Sequence, residues 1–232
     1  MILTRRCFVS TVGSSVAALA ALSPAVPPVQ AQLVYRRSDW NFKAFDSLLK
    51  HDARARQVYD IRPIGEGRFL NNIKNSINGF QFGFDMPADQ IKVVSAMHGP
   101  SNMLNLADAM WEKYRLGEFL QVTDPKTGKP ATRNLYYSRN GHGSSDPEDR
   151  ASPFQDTSME ALQARGVQFL SCHTATEEQA QGLLKQYAFK PTAEEIVRDL
   201  QAHTMPGVLI VPAMVAAVSL LQSEGHYTYI TV

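Results

Sequence analysis

From residue 57 onwards the chain alternates between two hydrophobic periods. Gln57-Val-Tyr-Asp-Ile61 alternates apolar and polar positions, is rich in β-formers and ends just before Pro63, which predicts a strand. Over 68–82, Phe69, Leu70, Ile73, Ile77 and Phe80 recur at helical spacing. Residues 91–97 read as a strand stopped by His98-Gly99-Pro100, and 102–116 as an amphipathic helix carrying Met103, Leu104, Leu106, Met110, Trp111 and Tyr114. A helix over 158–165 ends at Gly166, and a strand follows over 167–171. Thr174-Ala-Thr-Glu177 and Thr192-Ala-Glu-Glu195 are capping-box patterns, opening helices to about 187 and 203. Met205-Pro206-Gly207 turns into a strand over 208–211. Pro212 suits the first position of a helix to 222, and Gly225 leads into a last strand over 226–231. Five strands alternating with helices predict a three-layer α/β fold, a mostly parallel five-stranded sheet with helices on both faces.

Three stretches depart from this rhythm. Residues 32–55 are a polar, irregular lead-in with one helical piece near 42–50, ahead of a domain over 56–232. Residues 120–156 are an insertion of loop composition, with Asp124-Pro-Lys-Thr-Gly-Lys-Pro130 and Asn140-Gly-His-Gly-Ser-Ser-Asp-Pro147. So long a loop marks a lid, a binding arm or disorder, and Leu135-Tyr136-Tyr137 in its middle predicts that part of it docks. Residues 1–31 have the order of an export signal. The pair Arg5-Arg6 is followed by an apolar run over 12–22, then by prolines and Val29-Gln30-Ala31, a small-residue cleavage pattern. The arginine pair selects the twin-arginine (Tat) route. The expected destination is a bacterial periplasm or the cell exterior, both oxidising.

Charge and cysteine content sharpen this picture. The chain has 23 Lys and Arg against 22 Asp and Glu, and removing the signal leaves a nearly neutral domain of about 200 residues, enough for one sizeable core. Such a balance offers no electrostatic footprint for nucleic acid or an anionic membrane, and no later stretch is long and apolar enough to span a bilayer. Of two cysteines, Cys7 leaves with the signal, so Cys172 is the only thiol of the mature chain. It is either a small buried hydrophobe or a reactive group.

Three blocks carry a family resemblance: Val93-Val-Ser-Ala-Met-His-Gly99, Gly166-Val-Gln-Phe-Leu-Ser-Cys172, and the ending Gly207-Val-Leu-Ile-Val-Pro-Ala-Met-Val-Ala with Leu221-Gln-Ser-Glu-Gly-His-Tyr-Thr-Tyr-Ile230. From residue 91 to the end, and more loosely from Val58, the chain resembles the DsrE/DsrF-like family. The resemblance implies a five-stranded α/β layer structure that commonly forms trimers or hexamers. Some members carry sulfur as a persulfide, and Cys172 matches a family cysteine at the end of a central strand. The partners implied are further copies of the chain and a small sulfur compound or a protein sulfur partner. Members without a working cysteine also exist, so the fold alone does not supply the chemistry.

In open α/β sheets, ligands lie beyond the carboxyl ends of the strands. His98-Gly99-Pro100, Cys172-His173-Thr174 and Val211-Pro212 are expected there. Cys172 precedes a helix, whose N–H groups and dipole favour a thiolate, the form that exchanges sulfane sulfur. His173 and His98 are candidate charge partners or proton carriers; the alternative for His98 is a bond to loop backbone. No cofactor is identified. Cys172, His173, His98 and His142 are ligand types for copper or zinc, yet no paired ligand spacing supports a metal site. Rossmann, P-loop and nucleophile-elbow motifs are missing. The leading expectation is an exported sulfur-handling protein with a persulfide on Cys172. The alternative is a non-catalytic oligomeric module that binds a small ligand or partner through 120–156.

Overall fold

The computed structural model describes residues 40–232. The expected signal over 1–31 and the start of the lead-in lie outside the described residues. Among those described, β1 (Ala55–Ile61), β2 (Ile91–Met97), β3 (Gln168–Cys172), β4 (Leu209–Val211) and β5 (Thr228–Thr231) form one sheet in the order β4-β3-β2-β1-β5. Every pairing is parallel. Parallel strands are covered on both faces, which is why β2 reads as the nearly unbroken apolar run Ile-Lys-Val-Val-Ser-Ala-Met.

Strand alternation divides the interior in two. Tyr59, Ile61, Val93, Met97 and Phe169 face the larger core. It is closed by α2 (Arg68–Asn78), α3 (Asp108–Lys113), α5 (Met159–Ala164), α6 (His173–Gln186) and α7 (Ala193–Ala202). Val58, Val94, Ala96, Leu170, Cys172 and Val211 face the smaller core beneath α1 (Phe42–Leu49) and α8 (Met214–Ser223). The three-layer α/β reading therefore holds, and the sheet is wholly parallel.

Several local expectations are corrected. Residues 102–116 are not one helix: a 3-10 segment, Gly99–Asn105, precedes α3, and α4 (Leu116–Phe119) follows an Arg115 at φ 55°. The polar side chains inside that apolar pattern decide this, because Asn102 and Asn105 are buried and spent on β3 and α6. Residues 107 and 106 instead bond to and bridge the end of α7, through His203 and Thr204. The helix expected over 68–82 stops as α2 at Asn78 and continues as a π-helical turn, Gly79–Gly83. The capping box at Thr192 and Glu195 forms. The one at Thr174 does not: the N-cap is Cys172, two residues earlier, and α6 begins at His173. Pro212 is not the first residue of α8, which starts at Met214.

The 120–156 insertion packs as part of the domain. Leu135, Tyr136 and Tyr137 lie against the larger core, as their apolar run predicted. Buried Asn134 donates to the carbonyls of Leu104 (2.6 Å) and Leu106 (3.1 Å). At Gly117 a Cβ would come within 2.2 Å of the Ala131 carbonyl oxygen, so glycine is what admits this crossing. No helix among the described residues is long and apolar enough to cross a membrane.

Candidate functional site

The carboxyl edge of the sheet brings two of the three expected residues side by side. Met97 pairs with Ser171 in the β2–β3 register, and His98, just past the end of β2, and Cys172, the last residue of β3, are the next residues along. They lie two residues beyond Ala96 and Leu170, which both face the smaller core.

Cys172 is buried, with 3% of its surface exposed. As N-cap of the 14-residue α6 it stands at the positive end of that helix. Its Sγ also accepts the backbone N–H of Met214 at 3.3 Å, and Met214 is the first residue of α8. The Thr174 hydroxyl lies 3.1 Å from the same sulfur. The N-terminus of α8 thus reaches the thiol through an N–H, whereas α6 contributes the Thr174 hydroxyl and the Cys172 side chain makes no cap hydrogen bond to it. Asn102 fixes the backbone there: its Oδ1 accepts from Cys172 N–H (2.8 Å) and Ser171 Oγ (2.9 Å), and its Nδ2 donates to Thr176 Oγ1 (2.9 Å) and Gln179 Oε1 (3.2 Å). Gln179 in turn donates to the Gly99 carbonyl beside His98.

His98 belongs to a cluster that the sequence reading did not assemble. Its Nε2 lies 2.6 Å from Asp60 Oδ1, and the Tyr229 hydroxyl donates to Asp60 Oδ2 at 2.6 Å. The bond to Asp60, more than burial, raises the pKa of Tyr229, which therefore stays a donor. These three residues line an open cleft of about 250 Å³, together with Met214, Val215, Val218, Ser219 and Gln222 of α8. Cys172 is not a lining residue; Met214 touches both the thiol and the cleft. Asp60 was overlooked because a polar residue in an alternating strand reads as solvent-facing. The available signal was its parity with buried Val58, which places an acid on an inward face at the end of a central strand.

His173 points elsewhere. It is buried at the start of α6, bonded through Nδ1 to Gln201, with Nε2 3.4 Å from Glu177 and its ring edge-on to Trp40. Burial lowers its pKa despite the opposing pull of Glu177. His142 stays within the insertion, 2.9 Å from Asp156. No group of three or more His, Cys, Asp or Glu side chains that could hold a metal ion occurs among the described residues. Compared with family models, curated proteins and solved structures, the chain matches none. Its class is that of a parallel three-layer α/β protein with a cleft at the carboxyl edge of its sheet.

Proposed function

We propose that this protein handles reduced sulfur at Cys172, taking up sulfane sulfur from a small sulfur compound or a protein partner and holding it as a persulfide. The observation that carries this reading is the backbone N–H that the first residue of α8 donates to the Cys172 sulfur, which favours negative charge at that point. With a polysulfide as donor, the Cys172 thiolate bonds to its terminal sulfur. The adjacent S–S bond breaks, and its electron pair leaves with the shortened polysulfide. The persulfide anion keeps the same helix-end environment. Met214 is unbranched and flexible, and its displacement opens a path from the cleft to the thiol. Export by the Tat route rests on the Arg5-Arg6 leader. Homo-oligomeric assembly rests on the DsrE/DsrF-like resemblance of the three sequence blocks.

The burial of Cys172 favours a second reading, in which the thiol only packs and the protein is a binding module. Alkylation of the native protein by iodoacetamide near neutral pH separates the two. The proposal expects measurable labelling of Cys172, accelerated about tenfold or more by Met214→Ala because access limits a buried thiol. Labelling that waits for global unfolding in both proteins overturns it.

A further inference from the structure

The cleft over Asp60, His98 and Tyr229 has a chemistry independent of Cys172. It lies beyond β1 and β5, where the strand order reverses, the position at which open parallel sheets receive ligands. Both oxygens of Asp60 are occupied, one by His98 Nε2 and one by the Tyr229 hydroxyl. In the neutral imidazole a carboxylate at Nε2 holds the proton there and leaves Nδ1 as a hydrogen-bond acceptor. That nitrogen has no hydrogen-bond partner among the described residues. The facing wall of α8 supplies Met214, Val215 and Val218 as an apolar surface, with Ser219 and Gln222 as neutral polar groups. Among the described residues no lysine or arginine lines the cleft, so none of them compensates an anion placed beside Asp60. At about 250 Å³ the space falls below that of drug-sized sites.

We infer that this cleft binds a small, uncharged, amphipathic molecule, which lays its apolar body on Met214, Val215 and Val218 and donates one O–H or S–H to His98 Nδ1. Aromatic alcohols and short-chain alcohols or thiols belong to this class. The ordered Tyr229–Asp60–His98 chain fixes the acceptor before the ligand arrives, so the ordering cost falls on the protein at folding and not at binding.

Phenol is the probe, with anisole lacking the donor and benzoate carrying a charge, each titrated into the isotope-labelled full-length protein and followed by NMR. Phenol should shift resonances of His98, Tyr229 and α8 in a saturable way. Anisole and benzoate should bind about tenfold more weakly, the scale of one lost hydrogen bond. His98→Asn and Val215→Ser should each weaken phenol several-fold, the latter at an exposed position that leaves the core untouched. Cys172→Ser should bind phenol like the parent, whatever becomes of the persulfide reading. Equal affinity for benzoate or anisole, shifts centred elsewhere, indifference to both cleft variants, or no saturable phenol binding would each overturn the inference.

Discussion

At the scale of single residues, the account turns on how few side chains set the carboxyl edge. Asn102 is the clearest case, since one buried amide meets the Cys172 N–H, the Ser171 hydroxyl, Thr176 and Gln179. Removing it orphans several buried polar groups at once, each costing about 1–3 kcal/mol. Asn102→Ala is therefore expected to lower unfolding free energy by at least about 2 kcal/mol in a urea titration; a loss under half a kcal/mol would contradict the role assigned to it. His98 and Cys172 were legible in sequence because each closes an apolar run. Asp60 and Tyr229 were not, since a partnership between β1 and β5 depends on strand order. The Asn102 hub was hidden for a related reason: it sits inside a pattern of apolar residues whose periodicity alone predicts a helix.

Among elements, periodicity located all five strands and most helices, but it could not weigh tertiary hydrogen bonds against helix propensity. Residues 99–119 break into short pieces for that reason, and α6 starts at His173, with the Thr174 hydroxyl beside the Cys172 sulfur and not capping the helix. The 120–156 insertion shows the opposite balance. Its loop composition was plain, whereas its attachment depends on close crossings such as Gly117 against Ala131. Asp156 anchors its far end. Burial pushes that carboxyl upward, but bonds from Ser158, Asn140 and His142 outweigh burial and bring its pKa below the ordinary value. Gly117→Ala should cost about 1–3 kcal/mol, the usual range for overpacking, and expose the insertion to light proteolysis before the sheet. Unchanged proteolysis and melting would show that the crossing is not a constraint.

For the molecule as a whole, acid should act in two stages. His173 and His51 are both lowered from 6.5, in each case chiefly by burial. The unfolded chain therefore takes up these protons first, and stability complete above about pH 6.5 falls as pH drops below it. Asp156 and Asp199 are lowered from 3.8, Asp199 by Lys113 and Tyr114 against the upward push of burial. Their contribution persists above that value and is lost only as pH falls further. Urea midpoints measured from pH 8 to pH 3 should show both declines, and His173→Gln should flatten the first. A flat profile between pH 7 and pH 5 would contradict the assignment.

The central claim is sulfur carriage on Cys172, and intact mass of protein lacking the leader and its Cys7, after polysulfide treatment, tests it most directly, beside a Cys172→Ser control. The account predicts increments of whole sulfur atoms that disappear on reduction and never occur in the control. A parent protein whose mass stays unchanged, or a control that gains the same increments, would contradict it.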